Sequence, residues 1–419
     1  MMSQDAKDVS DRSDTMKVLL LDMTHGGQIL APLYKAEGHD VTVADVYKIA
    51  PDTMLNSLKE LGIRVEIGEP SPDHYDLVSM PCHCPDIFLE NCTYDSRIWY
   101  SQSVNHFMDD DRFRIEVTGV KGKTSTCYIL AHILACAGKK VFLRSSRGSG
   151  PYTSGGHEIT ELKSIAPPYL LDLPKGGYDI IICEVSLGGS GKADISCITN
   201  LLEDYGIAKN TRHAEEAKKD ILTDRVNIVL DSEKDIWSKY GKPLRTVRDR
   251  VKIVDLPKFG EPTKLIVDYE GEHEITLDGS YLGIQYIEAI GMALEVCDSM
   301  NIPNEAVLSA LSSFKGVPGR GEIQYRGGVR YVIERNPGIS HMSVERTLRT
   351  LKNMGCLDDA IVIIDPVSKK VCDKLDRELI EKVVDSYGVD LIVTPGDGSE
   401  PIIPVEKNLI IRMIKEGYQ

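Results

Sequence analysis

Between Phe113 and Ser125 a strand-like segment, FRIEVT, runs into Gly119-Val120-Lys121-Gly122-Lys123-Thr124-Ser125, and a helical pattern follows to about Ala137. A glycine turn between a strand and a helix constrains the fold strongly. It converges backbone N–H groups and the positive end of the helix on one point, the arrangement that holds phosphate oxygens. Such a turn belongs to a parallel sheet flanked by helices, so an α/β architecture is expected. In this reading Lys123 neutralises the β and γ phosphates and the Thr124 hydroxyl holds Mg2+. The usual motif has a glycine five residues before the Gly-Lys pair, but Val117 stands there and the glycine is Gly119. The motif is therefore a shorter one, Gly-x-x-Gly-Lys-Thr, and it implies a nucleoside triphosphate, with ATP the expected one.

A chain of 419 residues exceeds one ordinary core, so two or three domains are expected. Strands predicted at Lys17–Met23, Val41–Val46, Arg64–Ile67 and Asp76–Met80 alternate with short helices up to the acidic run Asp109-Asp110-Asp111. A second unit carries the phosphate loop, strands at Val141–Leu143, Ile180–Val185, Ile195–Thr199 and Val226–Leu230, and helices at Gly283–Met300 and Asn304–Phe314. Glycine and proline in Lys315–Gly321 mark a hinge, and a third strand–helix unit follows it. The boundaries read from these shifts are a disordered leader at 1–15 and domains at 16–110, 111–316 and 317–419.

The charge balance is 49 basic against 64 acidic residues, a net charge of -15. That argues against nucleic acid, which needs basic surface to displace counterions, and against a polybasic membrane contact. The first fifteen residues lack the apolar stretch of a secretory signal, and no apolar run approaches a membrane span. A cytoplasmic location is expected, and the ten cysteines are read as free thiols.

Mg-ATP bound at such a loop needs an acidic group at the end of a neighbouring strand. Glu184, ending the apolar run Ile180–Cys183, fits, since a carboxylate there is costly unless it meets a cation. Arg144, Arg147 and Arg320 are candidates for charge neutralisation near the phosphates or substrate. Thr24-His25-Gly26-Gly27 stands where a first parallel strand meets a helix, a favoured ligand position. Its glycines offer N–H groups to a carboxylate, and His25 is placed to contact a carboxylate or a substrate metal. The alternative is a plain strand-to-helix turn. Arg147–Tyr152 and Ser154–His157, rich in glycine, read as a mobile substrate loop. Cys82-His83-Cys84 lacks the two-residue gap of zinc sites, and a simple loop is the better reading.

Taken in order, these residues resemble the Mur ligase family, whose members join an ATP-activated carboxylate to a nucleophile through an acyl phosphate. Thr118–Ser125 resembles the family's phosphate loop, and Glu184-Val185-Ser186 its acidic strand end. Thr199-Asn200 with Glu203-Asp204 resembles its Thr-Asn segment and the acidic site after it. Tyr205 stands where a histidine usually helps hold a second metal. Ala217-Lys218 occupies the place of a carbamylated lysine that supports Mg2+, with Lys219 the neighbouring candidate. Gln285 stands near the family's adenine-contacting Asn. Pro318-Gly319-Arg320-Gly321 resembles the hinge that opens the third domain. Arg335-Asn336-Pro337-Gly338 resembles that domain's His-Asn-Pro loop, with Arg for His. The resemblance implies a three-domain architecture, with a central P-loop ATPase domain between Rossmann-like N- and C-terminal domains. It implies ATP contacts from Gly119 to Ser125, Asn200, Gln285 and Arg320, a metal at Thr124 and Glu184, and catalytic roles for Lys123, Glu184 and Lys218. Thr24, His25, Gly26, Gly27, Arg144, Arg147, Arg335 and Asn336 are the substrate candidates.

The first domain, with VLLLDMTHGG at Val18–Gly27 and Asp45-Val46-Tyr47-Lys48, differs from peptidoglycan ligases. It resembles an archaeal branch of the family that acts on a nickel-containing tetrapyrrole. The resemblance implies ATP activation of a propionate and ring closure by an internal carbon; monomer and homodimer both stay open. Two alternatives stand beside it: an amide ligase adding an amino acid, and a nucleotide-gated regulatory or binding protein.

Overall fold

The computed structural model describes residues 15–201, 206–209, 211–367, 375–397 and 401–416. The leader expected at 1–15, save its last residue, and the family positions Glu203, Asp204 and Tyr205 lie outside the described residues. The chain forms two compact units.

The first unit holds the residues up to Asp109, together with Ala166–Leu173 and Tyr205–Ala217. Its sheet has five parallel strands in the order Arg64–Ile67, Asp40–Asp45, Lys17–Leu21, His74–Met80 and Thr93–Trp99. The central strand is apolar without alternation, and Val18–Leu21 are fully buried, as a strand covered on both faces requires. The edge strand Thr93–Trp99 and the helix Tyr100–Phe107 were not expected from sequence. The strand reads TYDSRIW and is mostly exposed over its first four residues, so it carries neither a continuous apolar run nor clean alternation.

The second unit contains the phosphate loop. Its main sheet runs Leu244–Val247, Val226–Leu230, Ile195–Ile198, Arg114–Thr118, Ile180–Glu184 and Val141–Ser145, all parallel. The loop thus follows an interior strand, and the carboxyl ends of its neighbours, carrying Glu184 on one side and Thr199-Asn200 on the other, open on the same edge. The helix Lys123–Cys136 after the loop is buried on almost every face, packed in one core with the apolar residues of Ile287–Ser299. A three-stranded antiparallel sheet, Val251–Ile253, Thr263–Asp268 and Glu272–Leu277, adds to this core. The C-terminal sheet orders Arg320–Arg326, Val329–Arg335, Leu409–Ile414, Ala360–Asp365 and Asp390–Val393. Only its first pair is antiparallel.

One expectation is corrected here. The glycine-rich stretch read as a mobile substrate loop is a built edge of the main sheet. Gly148–Thr153 pairs antiparallel with Val141–Ser145 and with Gly156–His157. A Cβ on Gly150 would lie 1.9 Å from the Glu158 carbonyl oxygen, so this glycine serves the close approach of two backbones.

Beneath the loop, Arg114 and Glu116 form an ion pair with side chains 1% and 0% exposed. Arg114 Nε donates to Glu116 Oε1 at 2.8 Å, and Ser190 N donates to Glu116 Oε2 at 2.8 Å. Removing one partner leaves an uncompensated buried charge, which costs about 3–5 kcal/mol. Arg114→Met is therefore expected to lower unfolding stability by about that amount, read as a shift in the urea midpoint at unchanged slope. Arg225→Ala, which removes an exposed arginine paired with Asp194, should change it by less than about 1 kcal/mol.

Candidate active site

The loop is shaped by contacts to its own backbone. Gly119 has φ 140°, and a Cβ there would stand 2.0 Å from Thr199 Oγ1, so only glycine fits. Gly122 caps the helix with φ 85°. Asn200 O accepts from Val120 N at 2.9 Å, and its side chain brackets Lys121, with Oδ1 accepting from Lys121 N at 3.0 Å and Nδ2 donating to Lys121 O at 3.2 Å. Thr199 Oγ1 also donates to Lys121 O, at 2.5 Å. Asn200, expected among the ATP contacts, thus spends its amide on the loop's shape. Lys218 is fully buried, and its Nζ donates to Gly119 O at 3.1 Å and Ser186 O at 3.0 Å. It ties the loop to the end of the Glu184 strand.

Three oxygen-bearing side chains meet at the start of the helix. Thr124 Oγ1 lies 3.1 and 3.0 Å from the two Glu184 carboxylate oxygens and 3.2 Å from Ser146 Oγ. Thr124 is 5% and Glu184 3% exposed. The Ser146 backbone N–H donates to Glu184 Oε2 at 2.9 Å, a contribution that no motif in the sequence announces. A hydroxyl, a carboxylate and a second hydroxyl are the hard donor set that suits Mg2+. Lys123 Nζ donates to Gly119 O at 3.1 Å and Val120 O at 3.5 Å. Burial lowers its pKa, partly offset by the charge of Glu184. Ser125 is half-buried in the first helical turn.

The C-terminal segment reaches this centre. Arg320 Nη2 donates to Thr124 Oγ1 at 3.3 Å, so Arg320 joins the predicted group. Lys121 Nζ donates to Gly338 O at 2.6 Å and Ser343 Oγ at 2.9 Å, so its side chain turns to the Arg335–Gly338 loop. Other predicted residues stand elsewhere. Gln285 is 3.4 Å from Thr347 Oγ1 through Nε2, and its carbonyl accepts from Arg346 Nη2 at 2.6 Å. Arg144 is 1% exposed and donates to Ser149 Oγ at 3.2 Å and Glu161 Oε1 at 3.3 Å, inside the sheet-edge hairpin. Arg147 and Arg335 each bind one oxygen of Glu416, at 3.2 Å. They line a cleft of about 590 Å3 that Arg326, Arg412 and Asp365 also border. Asn336 N–H donates to Ile414 O at 3.0 Å, beside that cleft.

In the first unit, Thr24–Gly27 forms a tight turn after the central strand. Asp22, with φ 70°, accepts on Oδ1 from Thr24 N at 2.9 Å and Thr24 Oγ1 at 2.8 Å, and its Oδ2 meets His25 Nδ1. Gly26 lies against Pro168 and Gly27 against Met23 and Tyr100, where a Cβ would come within 2.4 and 2.5 Å of its nearest neighbours. These glycines therefore have a packing reason as well as any ligand role. His83 stands beside His25, ring centroids 4.4 Å apart. Burial, then the neighbouring His25, pushes its pKa down to about 4.

Glu334 is a residue that the sequence reading missed. It pairs across the hairpin with Arg320 and is 7% exposed. Burial raises its pKa to about 7, even against the pull of Arg320 and Arg346.

Residues 117–224 match the Mur ligase middle domain. The chain is similar to the protein named Coenzyme F(430) synthetase of Methanosarcina acetivorans, 28% identical, with 96% of this chain and 94% of that protein covered. It is also similar to the protein of the same name from Methanocaldococcus jannaschii, 26% identical over 91% of each. A solved structure, the UDP-N-acetylmuramate-alanine ligase of Thermotoga maritima, is alike in fold, with a TM-score of 0.52 and 15% identity over 96% of both chains.

Two tests follow. Lys123→Ala is expected to abolish ATP turnover with the fold intact by circular dichroism, and Glu184→Gln to cut it by about a hundredfold or more. Full activity in Lys123→Ala would sink the assignment of the loop. For Glu334 the folded pKa lies above the ordinary carboxylate value, so folding takes up a proton. Stability then falls as pH rises from about 4.5 to about 7 and is level above that window. Glu334→Gln, which mimics the protonated form, is expected to raise the melting temperature at pH 8 and leave it unchanged at pH 4.

Proposed function

We propose that this Mur-type ATP-dependent ligase activates a propionate carboxylate of a nickel seco-tetrapyrrole, the seco acid of coenzyme F(430), and closes a carbocyclic ring on it. The observation that carries the reading is the likeness, over more than nine-tenths of the chain, to two proteins named Coenzyme F(430) synthetase. Further support comes from a loop, carboxylate and arginine gathered as phosphoryl transfer requires.

A carboxylate is a poor electrophile, because its charge repels nucleophiles and its oxygen leaves badly. Attack of a carboxylate oxygen on the γ-phosphorus of ATP forms an acyl phosphate and releases ADP. Such transfer needs positioning and charge neutralisation more than covalent chemistry from the protein. Backbone N–H groups of Gly122, Lys123 and Thr124 would line the phosphates, and Lys123 would swing from the loop carbonyls to their oxygens. Thr124 and Glu184 would hold Mg2+, which would supply charge neutralisation for the triphosphate. Arg320, 3.3 Å from Thr124 Oγ1, would face the transferred group.

In the second step a substrate carbon loses a proton and attacks the acyl carbonyl. The carbon–carbon bond forms as the carbon–oxygen bond to phosphate breaks. The products are ADP, phosphate and a macrocycle one water lighter. No amine pocket is needed. Exclusion of water is needed, because the acyl phosphate hydrolyses otherwise. The test is an anoxic assay of the full-length protein with ATP, Mg2+ and the nickel seco-tetrapyrrole, read by mass spectrometry. A product lighter by one water, with one ADP per product, is expected. A product heavier by an amino acid residue would establish an amide ligase in its place, and ATP use indifferent to any carboxylate would favour a regulatory protein.

A further inference from the structure

The first unit contains a constellation that the phosphate chemistry does not use. A carboxylate oxygen of Asp22 and one nitrogen each from His25 and His83 lie within 4.8 Å of one another. We infer that these three side chains form a site for a single divalent transition-metal ion of the nickel or zinc type.

The geometry carries the assignment in three ways. The donor set is two imidazoles and one carboxylate, which suits first-row transition ions and leaves coordination positions open, whereas Mg2+ prefers oxygen alone. Donor atoms around one such ion, bound at about 2.0–2.2 Å, stand roughly 3–4 Å apart, so small ring rotations suffice. Second, His83 Nε2 is buried and has no hydrogen-bond partner. A buried polar atom left unpaired is uncommon and calls for a ligand or a reason. The His83 ring meets that of His25 edge to face, and both belong to the cluster.

Third, the site is held from outside. Asp22 is fully buried, and its Oδ2 meets His25 Nδ1, which keeps two of the three side chains together. Tyr100 OH donates to Leu21 O at 2.5 Å and Asp22 O at 2.9 Å. Arg212 Nη1 donates to the carbonyls on both sides of His83, Cys82 O and Cys84 O, each at 2.9 Å. Asp22 also keeps φ 70°, an uncommon conformation for a non-glycine residue and one that tends to mark a constrained functional position.

The same imidazole chemistry would serve a hydrated ion or a metal already inside a macrocycle. Burial of His83 Nε2 favours the ion, because a flat ring many atoms wide cannot approach an enclosed nitrogen. The inference is independent of the proposed reaction, and its test needs no turnover. The full-length protein, stripped with EDTA, is titrated with NiCl2 by calorimetry, and with CoCl2 by visible absorption. One ion per chain is expected, undisturbed by excess Mg2+. His83→Gln and His25→Gln are each expected to weaken it at least about tenfold, with melting curves confirming the fold. Asp22→Asn should weaken it also and shift the Co2+ absorption bands. Absence of Ni2+ binding, or affinity in both histidine variants equal to that of the unmutated protein, overturns the inference. So does a result in which His83→Gln affects only a nickel tetrapyrrole and not the free ion.

Discussion

The close passage of Gly119 beneath Thr199 is the constraint from which the candidate site follows. With no side chain at 119, the loop can sit against the carboxyl end of the next strand, and Thr199 and Asn200 then bond its carbonyls and amides. Lys218 fixes the same loop from the other side, through Gly119 O and Ser186 O. The N–H groups of Val120 and Lys121 are held by Asn200, and those at the start of the helix, from Gly122 to Thr124, are left to converge on a ligand. Preorganisation of this kind is what phosphoryl transfer rewards, since little reorganisation remains at the reacting step.

The C-terminal sheet takes part in that centre. Arg320 reaches Thr124, and Lys121 reaches Gly338 and Ser343. Arg320 opens the first strand of its sheet and is neighboured across the hairpin by Glu334. A buried carboxyl whose pKa is raised by burial thus stands beside this arginine, more than two hundred positions from the loop in sequence. The cleft where Arg147 and Arg335 share Glu416 likewise joins the main sheet to the last strand.

Parts of this are legible in the amino-acid sequence alone. The unbroken apolar runs Val18–Leu21 and Ile180–Cys183 read as buried parallel strands because their burial on both faces leaves no room for polar alternation. The glycine pair of the loop read as a phosphate site because it stands between a buried strand and a helix, where N–H groups converge on one point. Strand Thr93–Trp99 was invisible because an edge strand is half solvated and its pattern is polar. The hairpin Gly148–Thr153 was misread as mobile because glycine signals freedom in isolation, while here it permits two backbones to touch. Arg144 read as a substrate contact and proved to be buried in that hairpin, since a sequence does not say which way an arginine points.

What the sequence determined by itself was the chemistry at short range: a glycine turn before a helix, a lysine and threonine at its start, and an acid closing a neighbouring strand. Each depends on residues only a few positions apart, where chain connectivity fixes geometry. The tertiary structure decided every pairing across long separations. It brought Ser146 N–H to Glu184, Lys218 to Gly119, Arg320 to Thr124 and His83 to His25. Those contacts follow from strand order and packing, which local sequence pattern does not encode. The phosphate loop was thus readable as a motif, and its partners became visible only in the fold.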